Sequence, residues 1–98
     1  MDAEQFSEEV LALVDRIPPG QVCTYGLIAG AVGAGGPRQV GSVVRRDGAA
    51  VPWWRVVRAD GSLPAAQAAR AVPHYIDEGT PRRHDGRVDM RRALWPAP

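Results

Sequence analysis

Residues 24–46 run Thr24-Tyr25-Gly26-Leu27-Ile28-Ala29-Gly30-Ala31-Val32-Gly33-Ala34-Gly35-Gly36-Pro37-Arg38-Gln39-Val40-Gly41-Ser42-Val43-Val44-Arg45-Arg46. Thr24 is a good helix cap, because its hydroxyl can take an unpaired N–H of the first turn. Leu27, Ile28, Ala31 and Val32 then share one side of a helix from Tyr25 to about Val32. Gly33 to Gly36 make a turn. Pro37 suits the first position of a further helix, where its missing N–H costs nothing. That helix runs to about Arg46, burying Val40, Val43 and Val44 and turning Arg38, Gln39, Ser42 and Arg45 outward. Two short helices across a glycine turn are the pattern of a helix-turn-helix.

Upstream, Phe6, Val10, Leu13, Val14 and Ile17 keep a helical spacing over about 4–17. Acids gather at its start, where the helix dipole favours them, and Pro18-Pro19-Gly20 ends it. Val22-Cys23-Thr24 reads as a short extended piece. Downstream, Trp53 to Arg58 reads as irregular chain entering a strand. Asp60-Gly61 is a turn signal that sets Val56-Val57-Arg58 against Ser62-Leu63 as a small hairpin or wing. Pro64 to Glu78 is Ala-rich, and Pro73 predicts a helix starting or bending near Val72. Gly79 to Gly86 reads as a loose polar loop, and Val88 with Met90 as a short edge strand. The expected fold is mainly α: one winged-helix-like domain over 1–98, with a helix-turn-helix and a minor β-hairpin or wing.

A chain of 98 residues supports one small core rather than a deep multi-layer one. A single Cys excludes an internal disulfide framework, and one Cys with two distant His excludes a zinc finger. No cofactor or metal is implied. No apolar run approaches the roughly 20 residues of a membrane span, and the acidic start, Asp2 and Glu4, is unlike a signal peptide. A cytoplasmic monomer is expected, at the nucleoid in a bacterium. The net charge of +1 hides a division. Residues 1–16 carry −4 and residues 36–58 carry +4, with nothing charged between. All 12 basic residues are Arg. That suits forked contacts to phosphate, and it equally suits a GC-rich genome.

Several pieces now fall in order: Ile17-Pro18-Pro19-Gly20-Gln21-Val22, Thr24-Tyr25-Gly26 with Ile28-Ala29, Arg38-Gln39-Val40-Gly41, and Pro52-Trp53-Trp54-Arg55-Val56-Val57 with Asp60-Gly61. As a set they resemble the C-terminal DNA-binding domain of O6-alkylguanine-DNA alkyltransferases. Those enzymes carry Pro-Cys-His-Arg-Val at the active site, where this chain has Pro52-Trp53-Trp54-Arg55-Val56. Trp53 stands in place of the thiol and Trp54 in place of its activating His. The alkyltransferase-like subset of the family also has Trp for Cys; it binds alkylated guanine without repairing it and flags it for nucleotide excision repair. Leu94-Trp95-Pro96 looks like the tail of that subset. This chain departs from the subset at Trp54, where the subset keeps His. It departs again after Leu63, where a shortened Pro64-Ala65-Ala66-Gln67 has few donors for a flipped base.

The resemblance implies double-stranded DNA as partner, O6-alkylguanine as the favoured lesion and excision repair proteins beyond it. It implies that Arg38 enters the minor groove and fills the gap left by a flipped nucleotide. Tyr25 then crowds the neighbouring phosphate and lines a base pocket with Trp53, Val56 and Val57. Gln39, Gly41 and Ser42 form either a face small enough for the minor groove or a plain solvated face. Arg45, Arg46 and Arg58 hold phosphates or make a solvated basic patch. Trp54 is read as filling core space, and Arg55 as a brace on carbonyl or carboxylate groups. Cys23 is read as a packing residue, so no alkyl transfer is expected. His74 and His84 receive no role, and Arg82-Arg83 is read as solvated. The competing reading is a winged-helix regulator of undamaged DNA, which calls for base-reading side chains where Gly41 and Ser42 stand.

Overall fold

The computed structural model describes residues 1–98. Helix α1 spans Ala3–Arg16 and is capped by Asp2, whose carboxylate accepts the Gln5 N–H at 2.8 Å. Helices α2, Tyr25–Val32, and α3, Pro37–Asp47, pack on it and on each other. The Thr24 hydroxyl caps α2 by accepting the Leu27 N–H at 3.0 Å, and Gly33 ends it in the left-handed region at φ 81°. Val10, Val14, Ile17, Ile28, Val40 and Val44 meet between the three helices as the main core. The helical readings over 24–46 therefore hold within a residue. No helix is long and apolar enough to cross a membrane.

The strands differ from expectation. Strand β1, Cys23–Thr24, and strand β2, Val56–Val57, pair in parallel, with Cys23 opposite Val56 and Thr24 opposite Val57. The tail adds a third rail, since Val22 bridges Leu94 in parallel and its carbonyl accepts the Trp95 N–H at 2.7 Å. The Asp60-Gly61 turn does form. It is closed by the Arg58 N–H to the Ser62 carbonyl at 2.9 Å, but it extends into no hairpin. Val56 and Val57 are fully buried, and burial against β1 outweighs local pairing across the turn.

Helix α4 spans Ala65–Glu78 with Pro73 inside it, rather than beginning near Val72. Pro73 removes one helical hydrogen bond, to the Ala69 carbonyl. Both residues are exposed, so water can take that carbonyl. The segment read as a loose loop is a tight hairpin. Arg82 bridges Val88 antiparallel, and the Arg83 N–H donates to the Arg87 carbonyl at 2.7 Å. Asp85-Gly86 supplies the turn, with Gly86 at φ 95°. Hydrogen bonds from Arg87 hold the Asp85 carboxyl down at about 2. Val88 is a bridge residue, and Met90 opens a short helix α5, Met90–Ala93, instead of a strand.

Candidate nucleic-acid interface

The parallel register decides what stands beside what. With Thr24 opposite Val57, the next residues along, Tyr25 and Arg58, emerge side by side at the mouth of the sheet. Helix α3 forms one wall of the resulting cleft and the start of α4 the other. The cleft measures about 960 Å3. Arg38, Gly41, Ser42 and Arg45 of α3 line it together with Tyr25, Trp53 and Arg58. An added Cβ at Gly41 would lie 3.8 Å from the Tyr25 ring, so the α3 wall is shallow at that point.

Four Arg side chains line the cleft, Arg38, Arg45, Arg58 and Arg70, and no Asp or Glu does. None of the four has a carboxylate partner. Such a surface carries a positive field that no internal group cancels, and it attracts a polyanion. Burial pushes the Tyr25 phenol above its ordinary value, while Arg58 and Arg45 pull the other way without cancelling it. The hydroxyl thus stays protonated at neutral pH and can donate to a phosphate oxygen.

Trp53 stands at the back of the cleft, packed against both hydrophobic clusters of the molecule. The Arg70 guanidinium carbon lies 5.2 Å from the centre of its ring, within cation–π range. Behind Trp53 is a polar hub. The Glu78 carboxylate accepts from Gly20 N–H at 3.1 Å, Arg55 Nε at 3.0 Å, Arg55 Nη2 at 2.6 Å and Trp54 Nε1 at 3.0 Å. Arg55 also donates to the Ile17 carbonyl at 2.8 Å, and the Tyr75 hydroxyl donates to the Trp54 carbonyl at 2.6 Å. Burial pushes the Glu78 carboxyl up. The hydrogen bonds from Arg55, Gly20 and Trp54 outweigh that and hold it below its ordinary value. Arg55 is therefore a brace on both carbonyl and carboxylate, and the hub ties the Trp53-Trp54 turn to α1 and α4.

Some residues expected at the site lie elsewhere. Val56 and Val57 are fully buried core residues and cannot line a base pocket, because Val56 packs into one hydrophobic cluster and Val57 into the other. Gln39 folds back on its own helix start, its amide oxygen accepting the Gly36 N–H at 2.9 Å, and it does not line the cleft. Arg46 is also off the cleft, donating to the Ser7 hydroxyl at 3.1 Å and pairing with Asp47. Trp54 is half-buried rather than core, with its indole stacked on His74. Cys23 is fully buried, and burial raises its thiol above the ordinary value, so it faces the core and not the cleft.

The wall opposite α3 is made of Leu63, Pro64, Ala66, Gln67 and Arg70; the sequence reading set 64–67 against a flipped base but missed the helix they begin and Arg70 on it. The signal was present in the spacing of Gln67, Arg70, His74 and Glu78, which puts one residue per helical turn on a single face. Pro73 masked it by suggesting a break. No three His, Cys, Asp or Glu side chains gather to hold a metal.

The sequence pattern of the 6-O-methylguanine DNA methyltransferase DNA-binding domain matches residues 5–73. The chain belongs to this family. Within it, the chain is 35% identical over 97 residues to a DNA base-flipping protein of Escherichia coli (strain K12), a match covering 94% of this chain and 75% of that one. A DNA base-flipping protein of Vibrio parahaemolyticus (serotype O3:K6, strain AQ3810) is 32% identical, with 94% and 97% covered. In structure, this family member is similar to S. pombe Atl1 solved with damaged DNA containing O6-carboxymethylguanine. The TM-score is 0.84 at 28% identity, covering 97% of this chain and 98% of that one. S. pombe ATL in complex with DNA gives 0.83 at 29% identity, with the same coverage. These likenesses place the chain among the alkyltransferase-like members of the family.

Proposed function

We propose that this protein is a non-enzymatic sensor of DNA damage, which binds duplex DNA from the minor groove and extrudes an O6-alkylated guanine into the cleft without repairing it. The observation that carries this is the cleft itself: four unpaired Arg, no acid, and Trp53 at its back. Arg38 leads α3 into the groove and stacks in the emptied gap. Extrusion costs a few kcal/mol of pairing and stacking, and a planar guanidinium in the gap offsets part of it. Tyr25 presses on the adjoining phosphate. The extruded base stacks on Trp53, a contact of the class that contributes about 1–3 kcal/mol per base. Gly41 and Ser42 let α3 approach closely, and neither makes the forked contact that singles out one base, which disfavours a regulator of undamaged sequence.

No alkyl transfer follows. The residues at the thiol and His positions are Trp53 and Trp54, and the one thiol, Cys23, is buried in the core. A lesion that is bound and left in place calls for a second activity, and excision repair proteins are the proposed partners. Affinity for duplexes with and without one O6-methylguanine, at two salt concentrations, tests the reading. Tighter, salt-sensitive binding of the lesion duplex with no change in the protein's intact mass is expected. A gain of one methyl on the protein would make it a transferase, and equal affinity for both duplexes would make it a plain DNA binder.

A further inference from the structure

Three aromatic rings meet behind the cleft. His74 lies flat on Trp54, with centroids 3.6 Å apart and planes 8° apart. Trp53 stands edge-on to both, 5.7 Å and 87° from Trp54, 5.8 Å and 80° from His74. Helix α4 holds Trp54 at two points, one turn apart: His74 fixes the plane of the ring and Glu78 takes its N–H at 3.0 Å. Trp54 is thereby locked in rotation as well as position. Trp53 has no hydrogen-bond partner through its own indole nitrogen among the side chains that surround it. Its tilt is therefore set by its edge contacts and by the packing beneath it, and Arg70 alone stands over its face.

We infer that His74 is a positioning residue for lesion recognition: stacked on Trp54, it sets the angle at which Trp53 meets an extruded base. The inference rests on the reading of the cleft as a base pocket. Its physical basis is that aromatic pairs prefer stacked or edge-to-face geometry and lose that preference when one ring is removed. Without the imidazole, the Trp54 ring keeps its hydrogen bond to Glu78 but gains a free face. The edge-on support of Trp53 is then halved. Phosphate contacts from α3 lie on the opposite wall and do not depend on this stack.

The experiment measures affinity for a duplex with one O6-methylguanine and for its unmodified counterpart, in wild type, His74→Ala and His74→Phe, with near-ultraviolet circular dichroism of each free protein. In His74→Ala the preference for the lesion is expected to fall about threefold to tenfold, the range of one aromatic pair. Binding of the unmodified duplex stays where it was, and the Trp dichroism changes. His74→Phe, which keeps a stacking face, restores both. An unchanged preference in His74→Ala, or a His74→Phe that behaves like His74→Ala, overturns the inference. Should His74→Ala be too unstable to assay, His74→Leu, which keeps volume without a π-face, takes its place. A wild type with no lesion preference refutes the base-pocket reading directly. Loss of preference only in the variant supports both the base pocket and the role of His74.

Discussion

Glu78→Gln is the substitution that tests the architecture of the site most sharply. Each oxygen of the carboxylate takes two donors: Gly20 N–H and Arg55 Nε on Oε1, Trp54 Nε1 and Arg55 Nη2 on Oε2. Gln offers one oxygen and one NH2. Whichever way the amide turns, two N–H groups face another N–H group. Arg55 also loses its counter-charge while its side chain is only 13% exposed, against 9% for Glu78. Removing one partner from a buried pair costs about 3–5 kcal/mol, and the slight exposure of both groups puts the expected loss near the low end, about 3 kcal/mol. A domain of this size has about 5–15 kcal/mol in total. With roughly 4–8 °C per kcal/mol for such a domain, Tm should drop by about 12–24 °C.

The acid dependence gives an independent check. The folded Glu78 carboxyl sits below its unfolded value, near about 4.3. Its contribution is therefore complete above that value and disappears as pH falls through the folded value. Melting curves at pH 7 and at successively lower pH should show the gap between wild type and variant narrowing below about pH 4.3. A Tm loss under about 4 °C at pH 7, equivalent to less than about 1 kcal/mol, would show that the hub is not a buried pair in solution. A gap that stays constant with pH would show that the loss comes from packing and not from charge.

Arg58→Ala should weaken binding to lesion and control duplexes alike and lower the log–log salt slope by about one unit, and an unchanged slope would remove Arg58 from the phosphate contacts. For the wild type, phosphate contacts from Arg45 and Arg58 correspond to a slope of about −2. Arg38→Ala should cost about 1–3 kcal/mol on the lesion duplex and suppress the fluorescence of a neighbouring 2-aminopurine, which reports unstacking; unchanged affinity and fluorescence would remove Arg38 from the interface. Gly41→Ala should raise stability by about 0.5–1 kcal/mol, since the position is mid-helix and the new methyl meets the Tyr25 ring at ordinary contact distance. The same methyl should weaken DNA binding, and a variant that is both more stable and equally tight would mean that α3 does not approach DNA through Gly41.

The helix-turn-helix was legible because its signals are local. Thr24, the glycines at 33–36 and Pro37 each act within one turn of their own position, and the apolar spacing of α2 and α3 agrees with them. The cleft walls supplied by α3, Tyr25, Trp53 and Arg58 were legible through resemblance. The sheet was not, because β1 and β2 are two residues each and lie 33 positions apart at Cys23 and Val56, so no local pattern records their pairing. That same pairing buries Val56 and Val57, which is why assigning them to the base pocket failed. The partners of Glu78 were not legible either. A carboxylate near the end of a helix reads as solvated until tertiary structure brings Gly20, Trp54 and Arg55 to it. The hairpin at 82–88 was within reach, since Asp85-Gly86 is the same dipeptide that marks the turn at Asp60-Gly61.

The hub also explains how a site can lose its chemistry and keep its shape. A transferase needs a thiolate in the cleft, with a neighbouring base to make it. On the proposed reading the position of that base is held by Trp54, whose N–H donates to Glu78 and which cannot take a proton from anything in the cleft. On the same reading Trp53, in the position of the nucleophile, presents a π-face, which can hold a base and cannot accept an alkyl group. Binding then has no irreversible step to end it. In the proposed complex, stacking on Trp53, filling of the gap by Arg38 and phosphate contacts from Arg45 and Arg58 together have to offset the cost of extrusion. Occupancy of the lesion is an equilibrium set by those groups. Salt, which weakens only the phosphate contacts, should shorten the complex on lesion and control DNA equally and leave the ratio between them unchanged.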